Sequence, residues 1–269
     1  GVASLASYYA LNLTPGGANQ GKVWIASARV LNENNQADEQ LFSKALTEVV
    51  EFFTPHGVKV FNLSVNILNR RWNTDAKRTV PRRSWIARRI DHLSRMHDVI
   101  FVVSIGNIAA HNVRRHIQDG KPYPTYLSDP DSSLLDPAQS ALALSVGSIV
   151  PSTLAVGPVG RARALAEQGH ASPFTRCGPG VVKDIKPELV DFGGNYLMEE
   201  ESGIIRHNYG NSVPMASNKL TPAVVYDAGT SFAAPRVTHK LALIQSDLRD
   251  LGVVNASAAL LKADRKSVV

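Results

Sequence analysis

Short apolar runs separated by amphipathic stretches recur along the first 150 residues, and this alternation constrains the fold more than any other feature. Val23 to Leu31, Val58 to Val65, Val99 to Ser104 and Ala141 to Ile149 are the runs. Apolar side chains at consecutive positions suit strands covered on both faces, as in a parallel sheet wound by helices. Between the runs, Phe42, Ala45, Leu46, Val49 and Phe53 form a helical stripe that stops before Pro55 and Gly57. Ile86, Ile90, Leu93 and His97 form a second. The chain is therefore expected to be α/β, with a doubly wound, mostly parallel sheet and helices on both faces.

Length and composition narrow this further. With 269 residues, 44% of them hydrophobic, the chain can bury one large core, and no linker-like stretch divides it. No apolar run approaches the length of a membrane span, so no membrane partner is expected. A single cysteine, Cys177, excludes an internal disulfide framework and leaves the compartment open. The net charge of +6 gathers largely in Arg70, Arg71, Lys77, Arg78, Arg82, Arg83, Arg88 and Arg89. A nucleic-acid surface is one reading of that cluster. The stripe through Ile86, Ile90 and Leu93 favours the other, a solvated helix face, and no nucleic-acid partner is expected.

In doubly wound sheets, ligands sit beyond the carboxyl ends of the strands. Asn62, Leu63, Ser64, Val65 and Asn66 follow or end one run, and Ser104, Ile105, Gly106 and Asn107 another. The Asn107 amide can donate into a cleft, and Gly106 lets backbone come close to whatever lies there. A Gly-Asn pair that simply closes a turn is the plainer reading. Further on, Gly229 to Pro235, GTSFAAP, sets Ser231 in a turn after Val224 and Val225 and before the helical stripe Val237, Leu241, Leu243, Ile244 and Leu248. A helix N-terminus favours developing negative charge, which suits a nucleophile there. Thr230 or Ser231 acting only as an N-cap is the alternative.

Taken together, these segments resemble the subtilases, the subtilisin-like serine peptidases. Val2 to Ser4 are similar to the continuation of the family's histidine helix, FNLSV at Phe61 to Val65 to its substrate strand, and VSIGN at Val103 to Asn107 to its oxyanion segment. GTSFAAP resembles the nucleophile motif, while SPFTRCGPG at Ser172 to Gly180 and KPELVDFGGN at Lys186 to Asn195 resemble the run leading to it. The resemblance implies a serine endopeptidase that hydrolyses peptide bonds through an acyl-enzyme on Ser231, with Asn107 in the oxyanion hole. It also implies substrate contacts from Ser64, Val65, Asn66 and Gly106, with an extended polypeptide pairing as an added strand.

The same resemblance implies an aspartate and a histidine that the chain does not hold in family positions. His56, His92, His97, His111, His116, His170, His207 and His239 all lie outside the motifs, and the family histidine is expected three residues before Gly1. The chain is thus expected to be an N-terminally truncated subtilisin-like domain, residues 1–263, inactive alone. Residues 264–269, DRKSVV, match the translation of a common sequencing-adapter stretch and are expected to be a non-native tail. A pseudopeptidase that binds peptides without cleaving them is the alternative; the sedolisin branch is disfavoured by Asn107, where an aspartate is its pattern. The wording of the motifs is most similar to a bacterial group often encoded beside AAA-type ATPases, which implies such a partner and a cytoplasmic setting. No cofactor is expected, and a structural calcium is left undecided.

Overall fold

Every residue of Ile100–Ser104 is at most 2% exposed, and a strand so buried needs cover on both faces. Alternate side chains of a strand point opposite ways. Phe101 and Val103 therefore join Leu63 in packing against Phe42, Leu46 and Val50 of one helix and Ile86, Ile90 and Leu93 of another. Ile100 and Val102 face the other side and meet Ala233, Ala234, Val237 and Leu241 of the helix that carries Ser231. Each large apolar side chain buried in this way contributes about 1.5–3 kcal/mol.

The computed structural model describes residues 1–34, 39–71, 83–155, 161–180 and 183–263, residues 39 and 67–71 by backbone alone. Its elements are α1 (Val2–Tyr8), α2 (Glu39–Phe53), β1 (Val60–Leu63), β2 (Ile67–Arg71), α3 (Trp85–His97), β3 (Ile100–Ser104), α4 (Ala110–Gln118), β4 (Leu135–Asp136) and β5 (Leu144–Ile149). There follow β6 (Ala162–Ala164), β7 (Leu189–Phe192), β8 (Leu197–Glu199), β9 (Ile205–Arg206), β10 (Val213–Ala216), β11 (Val224–Asp227), α5 (Thr230–Asp250) and α6 (Ala258–Ala263). The central sheet runs β1-β3-β5-β7 and every pairing in it is parallel. With α2 and α3 on one face and α5 on the other, this is the doubly wound arrangement expected. Leu5 of α1 packs with Val213 and Met215 of the β10–β11 ribbon, and Val225 and Phe232 close over them.

Three local expectations differ from the structure. Val23 to Leu31 forms no strand: Trp24 is fully exposed, Ile25 is 45% exposed, and only Val30 and Leu31 pack against the core. An apolar run becomes a strand only where a neighbour completes its hydrogen bonds, and among the described residues β1 is laddered to β3 alone. Leu189–Phe192 is the reverse case, a short stretch inside KPELVDFGGN that joins the sheet beside β5. On α2 the fully buried position is Val50 rather than Val49, so the apolar stripe is Phe42, Leu46 and Val50.

Of the basic cluster, Arg88 is exposed, while Arg89 reaches across to donate to Thr47 Oγ1 on α2. Lys77, Arg78 and Arg82, the side chains of Arg70 and Arg71, and the tail Asp264 to Val269 lie outside the described residues. Among the described residues no helix is long and apolar enough to cross a membrane.

Candidate active site

β11 ends at Asp227, and the chain turns through Ala228 and Gly229 into α5, of which Ser231 is the second residue. The first N–H groups of any helix lack partners within it. At α5 the N-cap residue is Gly229, which supplies no side chain, so the capping role read for Thr230 or Ser231 does not arise. Asn107, from the loop after β3, takes that role instead by accepting from the Thr230 N–H at 2.9 Å. The Ser231 N–H and hydroxyl have no hydrogen-bond partner among the described residues. Gly229 itself is extended and is needed for space, since a Cβ there would lie 3.0 Å from Asn107 Nδ2.

Asn107 is held from both ends. Its Oδ1 also accepts from Thr230 Oγ1 at 3.0 Å, and Thr230 Oγ1 in turn accepts from the Gly106 N–H at 3.2 Å. Two donors from Thr230 fix which end of the amide faces α5, so Nδ2 is the end left free, with no partner among the described residues. Behind it, Arg176 is 3% exposed and donates through Nε to the Asn107 carbonyl at 3.0 Å. The Arg176 Nη1 spans to the carbonyls of Asp131 and Ser133, both at 2.8 Å. Gly106 makes this packing feasible: its φ of +101° is left-handed, and a Cβ would meet Leu135 Cδ1 at 2.8 Å.

The end of β1 completes the group. Ser64 Oγ donates to the Ser231 carbonyl at 3.1 Å and accepts from Asn62 Nδ2 at 3.0 Å. Asn66 lies one step further out, its Nδ2 donating to the Ser104 carbonyl at 2.9 Å. The Val65 side chain packs against the core that α2 and α3 help to form. The β1–β3 ladder ends at Leu63, and the backbone of Val65 and Asn66 makes no hydrogen bond among the described residues. Ser231, Asn107, Gly106 and Ser64 are thus brought together, with Val65 and Asn66 flanking them. Arg176 and Thr238 were not singled out from the sequence, and Thr230 and Asn62 were named there without the partners they bind; Thr230, Asn62 and Arg176 lay in quoted motifs, but nothing there revealed what they bind.

None of the eight histidines shares a hydrogen bond with Ser231 among the described residues. His239, on α5, is 4% exposed and is tied through Nδ1 to the Ala6 carbonyl at 2.9 Å. Burial holds its pKa below the usual imidazole value, opposed in part by that hydrogen bond. Elsewhere a serine, a histidine and an aspartate do meet: His207 Nδ1 is 2.9 Å from Ser212 Oγ, and Nε2 is 3.3 Å from Asp227 Oδ1. Ser212 is only 7% exposed, too enclosed for attack on a peptide, and the group ties the turn before β10 to the end of β11.

Comparison with known proteins bears on the family and the fold. The chain is 32% identical over 203 residues to a protein of Sinorhizobium fredii (strain NBRC 101917 / NGR234) described as "Uncharacterized protein y4bN", covering 72% of this chain and 44% of that protein. Among solved structures, a lanthipeptide protease superposes with a TM-score of 0.53 at 20% identity, covering 87% of this chain and 59% of that one. A psychrophilic protease gives 0.52 at 13% identity, covering 88% and 57%. The chain thus spans less than two thirds of the length of each of these relatives, and the two structures speak for the fold alone. Residues 1–267 match the Subtilase family, and the chain belongs to that family.

Proposed function

We propose that the protein to which this chain belongs is a serine endopeptidase. Ser231 attacks the scissile carbonyl, the amine product leaves, and water then hydrolyses the acyl-enzyme. Negative charge on the carbonyl oxygen is taken up by Asn107 Nδ2 and the Ser231 N–H, both free donors at the N-terminus of α5. The observation that carries the reading is the double hydrogen bond from Thr230 to Asn107 Oδ1, which leaves Nδ2 beside the Gly229 turn. In subtilisin a donor of this kind is worth about 3 kcal/mol, a value taken from that enzyme, so Asn107→Leu is expected to slow acylation at least 100-fold. The polypeptide substrate pairs along Val65 and Asn66, with Ser64 and Gly106 lining the same cleft.

A serine hydroxyl needs a base, and the base is proposed to be a histidine, oriented by an aspartate, from chain outside these 269 residues. The chain alone is accordingly proposed to be inactive. An AAA-type ATPase partner and a cytoplasmic setting belong to the same proposal and rest on the wording of the motifs. A second reading, a pseudopeptidase that binds peptides, is supported by the lack of a histidine hydrogen-bonded to Ser231 among the described residues. The test is to express the protein with its upstream codons, with and without Ser231→Ala, and to follow digestion of an unfolded protein. Digestion that depends on Ser231 supports the peptidase; digestion that survives the substitution ends this mechanism, and peptide binding without digestion favours the second reading.

A further inference from the structure

Ser231 stands in a helix that leaves its carbonyl without the usual partner. In an α-helix the carbonyl of one residue accepts from the N–H four residues on. Four residues after Ser231 is Pro235, inside α5, and proline has no N–H. The vacant acceptor is filled from another element, by Ser64 Oγ at 3.1 Å. Ser64 is not free to turn away, because its oxygen also accepts from Asn62 Nδ2 at 3.0 Å. Asn62 is in turn oriented by Thr238, whose hydroxyl lies 3.1 Å from Asn62 Oδ1 and 3.0 Å from the Ala234 carbonyl.

Asn62 thus donates to Ser64 and Ser64 to the carbonyl of Ser231, while the one Thr238 hydroxyl proton is shared between Asn62 Oδ1 and the Ala234 carbonyl. Asn62 belongs to β1, whereas Thr238 lies about two turns along α5 from Ser231 and is 8% exposed. The relay pins α5 to the end of β1 at two heights. The same strand end continues into Val65 and Asn66, whose backbone is open to pairing. We propose that Asn62 and Thr238 are positioning residues for acyl transfer, an inference that rests on Ser231 being the nucleophile. Through Ser64 they hold the nucleophile turn in register with the strand on which the peptide pairs. A misplacement of about 1 Å between nucleophile and substrate is enough to cost up to 100-fold in rate, so the relay acts on kcat rather than on binding.

The experiment uses the protein expressed with its upstream codons and the variants Asn62→Ala, Thr238→Val and Thr238→Ser. Two quantities are read: kcat and KM on an internally quenched peptide, and amide hydrogen exchange of the segment 229–234. Asn62→Ala and Thr238→Val are expected to lower kcat about 5- to 10-fold with KM within twofold, and to speed exchange in 229–234. Thr238→Ser, which keeps the hydroxyl, is expected to restore both. The inference is overturned if kcat is unchanged in both variants, or if the whole loss lies in KM. Should the unsubstituted protein cleave nothing, the peptidase reading fails separately, and exchange decides the relay: faster exchange in Thr238→Val supports it, unchanged exchange overturns it.

Discussion

Thr230 donates to Asn107 Oδ1 twice, from its backbone N–H at 2.9 Å and from Oγ1 at 3.0 Å. An amide has one oxygen end and one nitrogen end, so occupying the first commits the second. The free Nδ2 then lies against Gly229, two residues before Ser231, at the positive end of α5. Preorganisation of this kind is what gives a hydrogen bond catalytic weight, because no reorganisation is needed as charge develops. Thr230, 0% exposed, cannot itself be a surface cap; its hydroxyl is spent on the loop after β3.

Thr230→Val keeps the backbone donor and the shape but removes the hydroxyl. In the protein expressed with its upstream codons, kcat on a peptide substrate is expected to fall about tenfold with KM nearly unchanged, and Thr230→Ser is expected to retain most of the rate. Steady-state kinetics on the two variants check this. An unaltered kcat in Thr230→Val contradicts the orienting role.

Arg176 supports the same loop from behind. Its guanidinium serves the carbonyls of Asn107, Asp131 and Ser133 while 3% exposed. Arg176→Met keeps much of the stem and strands those acceptors, and hydrogen bonds to charged donors are worth about 1.5–3 kcal/mol each before relaxation. Allowing for waters that replace some of them, the variant is expected to lose about 2–4 kcal/mol. Urea unfolding of this chain measures it, and a loss below about 0.5 kcal/mol, the size of an ordinary surface change, contradicts the account.

His239 gives the fold a dependence on acid. Burial lowers its pKa in the folded state below the value of 6.5 that the unfolded chain retains, and Lys22 acts in the same direction while the hydrogen bond to Ala6 opposes both. Near neutral pH and above, both states are unprotonated and this residue contributes no slope. As pH falls through about 6.5, the unfolded state binds the proton first, so stability drops until the folded-state pKa is passed. Unfolding curves between pH 8 and 5 are expected to show this decline, and His239→Gln is expected to flatten it relative to the unsubstituted chain. A slope of equal size in the variant contradicts the assignment.

The strands that are buried on both faces were legible in the sequence, because Phe101 and Val103 on one side and Ile100 and Val102 on the other leave a continuous apolar run. Leu189–Phe192 was not, since Pro187 before it and Gly193 and Gly194 after it give the stretch the look of a loop. Val23 to Leu31 failed in the opposite sense: its composition suits a strand, yet composition says nothing about whether a ladder partner is present. At the site, Ser231 and Asn107 stood out by type and motif. Thr230 and Arg176 reach Asn107, and Thr238 reaches Asn62, across 69 to 176 residues of chain, and no local pattern reports such pairings.

Covalent labelling of Ser231 tests the central claim most directly. A fluorophosphonate transfers its phosphonyl group only to an activated hydroxyl, and mass spectrometry locates the adduct. With the upstream codons restored, the adduct is expected on Ser231, absent in Ser231→Ala and at least tenfold slower to form in Asn107→Leu; the 269-residue chain alone is expected to label little. Labelling of a different residue, or labelling of Ser231 that is equally fast without the Asn107 amide, contradicts a nucleophile at the head of α5 served by that side chain.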